Sequence, residues 1–335
     1  MLNLPTDIEG LRVGHASDER LRSGVTCVLF DRPAVAAVSI LGGAPAARET
    51  ALLDLDMAVE QVDAIVLSGG STYGLDATAG VQAVLRKRLR EAAPPGHIGV
   101  PIVVQASIFD LANGGDKDWS GFSPYAELGR QAALAAAPGA FALGSAGAGL
   151  GATTANVKGG IGSASMLTPQ GFTMAALVAV NAVGSVTVGD GPHFWAAPFE
   201  RDAEFGGLGL PAVTPADLRL RVKPSALPSL SAGTTIGMVA TDAALTPAQT
   251  KRLAILAQDG LARAVLPAHL ARDGDTMFAA ATGPRAPDDS EAFEELCLAA
   301  TLVTARAIAR GVFEARSQGR PGEMPCWHTR FGAHP

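Results

Sequence analysis

The chain predicts a layered α/β domain, and three observations carry that prediction. Short apolar, β-prone runs alternate with helical ones through the first hundred residues. A second strand, helix, strand, helix series follows position 234. Across 335 residues, hydrophobic side chains make up 48% and charged ones only 17%, enough apolar surface to fill several buried layers or subunit contacts.

In chain order, Val35 to Leu41 and Ala64 to Leu67 read as strands, and Glu49 to Gln61 and Leu75 to Glu91 as helices. Val100 to Gln105 follows as a strand, and Tyr125 to Ala137 as a helix stopped by Pro138-Gly139. Residues 140–155 are glycine-rich. The spacing Gly147-Ala-Gly149-Leu-Gly151 departs from Gly-x-Gly-x-x-Gly, and no Gly-Lys-Ser/Thr follows it, so no nucleotide is assigned. Residues 172–188 approach membrane-span length, but Asn181, Gly184, Ser185 and the β-branched run suit two buried strands better. Pro192, Pro198, Pro211, Pro215, Pro224 and Pro228 punctuate residues 190–231, which reads as an exposed linker. Thr246-Pro247-Ala248-Gln249 joins an N-cap, a proline at N1 and a capping-box Gln, opening a helix continued by Leu253, Leu256 and Leu261. A last helix runs from about Ser290 to Val312, acidic early and basic late at Arg306 and Arg310.

The formal net charge of -6, with no basic run beyond Arg86-Lys-Arg-Leu-Arg90, argues against nucleic acid. Cys27, Cys297 and Cys326 lack metal-ligand spacing and read as reduced thiols. His15, His97, His193, His269, His328 and His334 are scattered, so neither a metal nor a cofactor is expected. Residues 1–10 have no basic start and no apolar core of a secretory signal, which points to a soluble cytoplasmic protein without membrane partners. The low charge fraction makes a homo-oligomer the natural outlet for apolar surface.

Candidate chemistry centres on Gly233-Thr234-Thr235-Ile236. If the chain breaks between Gly233 and Thr234, the Thr hydroxyl gains a neighbouring α-amine of pKa about 7.7 to 8.0, a fitting base at neutral pH. Gly233 lacks a Cβ and can adopt conformations that expose its carbonyl, while β-branched Thr234 is stiff at χ1. The same four residues are also how a turn enters a strand. Asp273 and Asp275, two apart, project alike from an extended backbone and would push one pKa upward, though a polar turn has the same spacing. Asn181, among apolar neighbours, could donate to an oxyanion or close a turn. Lys158, before Gly159-Gly160, could sit at a site or be solvated.

Taken together, these pieces resemble the DmpA-type aminopeptidase and nylon-oligomer hydrolase family, N-terminal-nucleophile amidohydrolases that cut themselves to mature. The resemblance runs through Gly10-Leu-Arg-Val-Gly-His15, Gly24-Val-Thr-Cys-Val28, Leu41-Gly-Gly-Ala-Pro45, Arg48-Glu-Thr50 and Ala64-Ile-Val-Leu-Ser-Gly-Gly-Ser-Thr-Tyr-Gly-Leu-Asp76. It continues in Val100-Pro-Ile-Val-Val104, Ile108-Phe-Asp-Leu111, Gly147-Ala-Gly-Leu-Gly-Ala-Thr153, Lys158-Gly-Gly160 and Val180-Asn-Ala182. It implies an αββα sandwich of two stacked sheets, with Thr234 beginning a central strand. The single catalytic domain, 1–335, would be cut into chains 1–233 and 234–335 that stay together. Thr234 would be the nucleophile, Asn181 the oxyanion-side amide, Lys158 a charge beside the nucleophile, and Asp273 and Asp275 the acidic pair. That acidic pair is similar to the nylon-oligomer branch, whereas Gly233 departs from the Asn found there before the nucleophile. The family also suggests a tetramer.

The reading that follows is an autoprocessed Thr hydrolase acting on a small-molecule or peptide amide: 6-aminohexanoate (nylon) oligomers or the N-terminal residues of peptides. An aminopeptidase restricted to peptides or β-peptides, an ornithine acetyltransferase-like acyl transferase and an uncut, inactive scaffold are the alternatives. Ser68 and Ser71 lie outside a Gly-x-Ser-x-Gly elbow, which leaves a Ser-His-Asp enzyme a weak competitor.

Overall fold

A computed structural model describes residues 1–92, 94, 98–223 and 233–332. The strands are β1 (Leu11–Asp18), β2 (Ser23–Ile40), β3 (Ala47–Arg48), β4 (Gln61–Ser68), β5 (Val103–Ser107), β6 (Gly160–Leu167), β7 (Thr173–Asn181), β8 (Thr234–Ala243) and β9 (Thr276–Arg285). The helices are α1 (Ser71–Gly74), α2 (Ala77–Ala92), α3 (Tyr125–Ala135), α4 (Pro247–Ala264), α5 (Ser290–Phe313) and α6 (Trp327–Phe331).

Hydrogen bonding runs in the order β3-β5-β4-β2-β9-β8-β7-β6, with β1 paired to β2. Strand β2 belongs to both halves of this order. Residues Ser23 to Phe30 pair with β1, Val25 to Leu29 and then Ala34 and Val35 pair with β4, and Val35 to Ile40 pair with β9. The ladder to β4 is interrupted between Leu29 and Ala34, where Pro33 lacks an amide hydrogen and the strand can bend. Two stacked sheets result. Val28, Leu67 and Val104 of the first pack against Leu177, Ile236, Met238 and Phe278 of the second, forming a core between the sheets. On the outer face of the first sheet, Cys27, Ala64 and Val66 meet Val81 of α2 and Leu128 of α3. On the outer face of the second, Val178, Val239 and Ala279 meet Leu253 and Ala257 of α4 and Leu296, Val303 and Ile308 of α5. This is the expected αββα sandwich. Period-two alternation along β7, β8 and β9 sends odd and even side chains to different layers.

Strands β4 and β5 are parallel with α2 between them, and β8 and β9 are parallel with α4 between them, as parallel neighbours require a crossover. Helix α4 opens on the predicted capping box: the Thr246 hydroxyl accepts from Gln249 N at 3.3 Å, and Gln249 Oε1 accepts from Thr246 N at 3.0 Å. Helix α5 is long and apolar enough to cross a bilayer, yet 72% of that window is buried against the second sheet and α4.

Three sequence expectations need correction. Glu49 to Gln61 forms a single helical turn at Thr50–Leu53 and ends on the first residue of β4; Leu53 reaches the core while Leu55 and Met57 are exposed, so no apolar stripe holds a helix there. Residues 172–188 give one strand, β7, because the chain after Asn181 instead makes single bridges from Ser185 to Leu266 and from Thr187 to Phe194. Residues 190–209 are no exposed linker: Phe194, Ala196 and Phe205 are core residues, and Glu204 forms a buried ion pair with Arg306 at 2.5 Å. Pro224, Pro228, His97 and His334 lie outside the described residues.

Candidate active site

Thr234 opens β8 in the interior of the second sheet, between antiparallel β7 and parallel β9. Its ladder partner is Asn181, the last residue of β7, so the two start and stop at one edge of the sheet. Both are buried: Thr234 is 4% exposed and Asn181 fully buried.

The Thr234 hydroxyl donates to its own preceding carbonyl, Gly233 O, at 2.5 Å. The same oxygen accepts from the main-chain N–H of Gly274 at 3.1 Å. The nucleophile candidate therefore lies against the bond it would cut, and a fixed amide already points at the oxygen that would become negative. Gly233 does this without a left-handed φ. The need for glycine is steric, because a Cβ there would lie 2.3 Å from Val183 N and 2.5 Å from Val183 Cγ2.

The 269–275 loop is tied to the strand opening from below. Asp275 Oδ1 accepts from Thr235 N at 2.8 Å, and its Oδ2 accepts from His269 N at 3.0 Å and contacts His269 Nδ1 at 3.0 Å. Asp273 Oδ2 accepts from Leu270 N at 2.8 Å. Burial, reinforced by the Asp275 charge beside it, pushes the Asp273 carboxyl above its ordinary range. The Leu41-Gly-Gly-Ala44 segment clamps the same loop: Ala44 N donates to Asp273 O at 2.7 Å and Leu41 N to Asp275 O at 3.1 Å.

Asn181 is placed beside Thr234, but its amide is committed. Nδ2 donates to Phe109 O at 3.0 Å, and Oδ1 accepts from Thr153 N at 3.0 Å and Lys223 Nζ at 2.9 Å. Beside the Thr234 hydroxyl, the donor on the Gly233 carbonyl is the Gly274 amide, which side-chain inspection of a sequence does not reveal.

Lys158 has other partners than the Thr234 hydroxyl. Its buried ammonium bonds Leu150 O at 3.3 Å and Glu323 Oε1, on a partly buried side chain, at 3.0 Å. Burial works to raise Glu323, but Lys158 and the Ser317 hydroxyl outweigh it and hold the carboxyl at about 2.

Two residues escaped the sequence reading. Lys223, inside the supposed linker, donates to Asn181 O at 3.2 Å as well as to its Oδ1. Burial pushes its ammonium down to about 7, against the attraction of Asp273 and Asp110. His269 was one of several scattered histidines. Burial lowers its affinity for a proton, but the Asp275 hydrogen bond and charge prevail and the ring is raised overall. Neither has a local sequence signature, since the turn at 269–275 and the return of the chain at 223 create both contacts.

The four-layer αββα sandwich is the fold of the N-terminal-nucleophile hydrolases. Residues 3–324 match peptidase family S58, and the chain belongs to that family of amide-bond hydrolases. An uncharacterized aminopeptidase of Mycobacterium tuberculosis is 41% identical over 352 aligned positions, spanning 99% of this chain and all of the relative. A 6-aminohexanoate-oligomer endohydrolase of an Agromyces species is 29% identical, over 82% of this chain and 74% of the relative. Among solved structures, a Burkholderia beta-aminopeptidase superposes with a TM-score of 0.71 at 25% identity, covering 98% of this chain and 92% of that one. An L-aminopeptidase D-Ala-esterase/amidase from Ochrobactrum anthropi, described as a variant of the Ntn hydrolase fold, gives 0.70 at 24% identity, with 97% and 90% covered.

Proposed function

We propose that the chain cuts itself between Gly233 and Thr234 and then hydrolyses amides with Thr234 as nucleophile. The observation that carries this is the joint hold of the Thr234 hydroxyl and the Gly274 N–H on the Gly233 carbonyl oxygen. Attack of Oγ1 on the Gly233 carbon would move the carbonyl electron pair onto the oxygen under the Gly274 N–H. The C–N bond to Thr234 then breaks, its nitrogen takes up the hydroxyl proton, and an ester to Oγ1 remains. Water hydrolyses the ester, leaving a Gly233 carboxylate and a free Thr234 amine.

In the cut protein that amine takes the hydroxyl proton while Oγ1 attacks a substrate carbonyl. Asp275 anchors the strand opening through Thr235 N, Asp273 and Lys223 titrate beside it, and Asn181 holds Phe109, Thr153 and Lys223 around the start of the strand. Amides of short linear oligomers such as 6-aminohexanoate, or the N-terminal residues of peptides, are the substrates that the relatives' names support.

Intact mass under denaturing conditions, for wild type beside Thr234→Ala, tests the reading. Two fragments divided at Gly233-Thr234 in wild type, and one uncut, inactive chain in the variant, are expected. A wild-type chain that stays whole, or a variant that still hydrolyses amides, would overturn it.

A further inference from the structure

The site's first acyl group is a residue of its own chain, and that residue fits only without a side chain. A Cβ built at Gly233 meets Val183 N at 2.3 Å, Val183 Cγ2 at 2.5 Å and Ala182 C at 2.8 Å. Two of those three atoms are main chain, so no rotamer change relieves the overlap. The wall is also pinned. Val183 O accepts from Lys223 N at 2.8 Å, Gly184 O accepts from Ala155 N at 3.0 Å, and Ser185 exchanges both main-chain hydrogen bonds with Leu266 at 2.9 and 3.0 Å. Ala182 and Val183 are 2% and 1% exposed, with no solvent space to retreat into.

Resting on the self-cleaving Thr234 reading, the ester formed during maturation joins Oγ1 to the acyl group of residue 233. Every later turnover forms the same bond from the same oxygen to a substrate's acyl group. A substrate ester whose carbonyl oxygen lies under the same Gly274 N–H would set its α-carbon close to where Gly233 Cα lies.

We infer that the 182–183 backbone is a specificity wall, which admits acyl groups whose α-carbon is an unbranched CH2 and rejects those bearing an L side chain. Glycyl, β-aminoacyl and 6-aminohexanoyl amides meet this condition, and amides of L-alanine or larger L-residues do not. The glycine before the nucleophile and the substrate preference are two results of one close approach.

The test uses the processed wild-type enzyme on the p-nitroanilides of glycine, β-alanine, 6-aminohexanoate and L-alanine. The decisive comparison is glycyl against L-alanyl, which differ by one methyl group on the α-carbon. A kcat/KM at least about 10-fold higher for glycyl is expected, the lower end of what one methyl-sized misfit yields. An L-alanyl value equal to or above the glycyl one would overturn the wall while leaving the Thr234 reading intact. No turnover of any of the four, or turnover that persists in Thr234→Ala, would instead remove the reading on which the wall rests. Gly233→Ala supplies a second measurement by intact mass: an uncut chain is expected, and cutting at the wild-type rate would refute the wall.

Discussion

The Gly274 amide and the Gly233 carbonyl oxygen are joined by a 3.1 Å hydrogen bond that links two loops distant in sequence at the bond proposed for cleavage. A side chain at 274 would disturb both partners, since its Cβ would lie 2.8 Å from Thr234 Oγ1 and 3.0 Å from Ala44 O. Gly274→Ala is therefore expected to slow self-cleavage by about 100-fold or more, the loss typical of one misplaced oxyanion donor. It should cost about 1–3 kcal/mol of stability through overpacking. A time course of intact mass, with urea unfolding in parallel, checks both.

Lys223 gives a pH signature. Its ammonium is lowered to about 7, so between pH 7 and its ordinary range near 10.5 the unfolded chain holds a proton that the folded chain has released. Stability from this group rises with pH through that window, by up to about 1.4 kcal/mol per pH unit, and is penalised below it. Replacing it with Met should give a variant whose stability relative to wild type is greatest below pH 7 and declines toward pH 10. Denaturant melts at several pH values would show a flat difference if the ammonium is not buried.

The Asp275 carboxylate serves Thr235 N and His269 together. Asp275→Asn keeps one acceptor but turns an NH2 toward His269 or Thr235, and a loss of roughly 1–3 kcal/mol follows from the unmatched donor. Because His269 is raised, its contribution is fully present below about pH 6.5 and is lost as pH rises through its folded pKa. The stability gap between wild type and variant should accordingly narrow above pH 6.5. NMR titration of the His269 ring in both proteins reads the cause directly.

Glu204→Ala removes one partner of the buried Arg306 pair and strands a guanidinium in the core. A destabilisation of about 3–5 kcal/mol is expected. Thermal unfolding close to wild type would mean that residues 190–209 are dispensable to the core.

Much of this was legible in the chain. The capping box at Thr246 and the run of β8 rest on local pattern, and short-range physics preserves those. What failed depends on contacts remote in sequence. Proline density at 190–231 says nothing of whether Phe194 and Phe205 will find the far side of α5. Lys158 and Lys223 are equally plausible as sequence, and only the folded chain gives one to Glu323 and the other to Asn181. A main-chain donor such as Gly274 N–H carries no side-chain mark at all.

Strands β8 and β9 fill the middle of the second sheet, flanked by β7 on one side and β2 on the other. A break at 233 would leave every one of those ladders intact, so the native protein would hold together as before. Recovery from denaturation would change in kind. The whole chain returns to its fold as a first-order process, whereas two pieces must first meet, making renaturation depend on concentration and hence effectively one-way when dilute. Maturation would thus turn a repairable molecule into one whose lifetime is set by how slowly it unfolds.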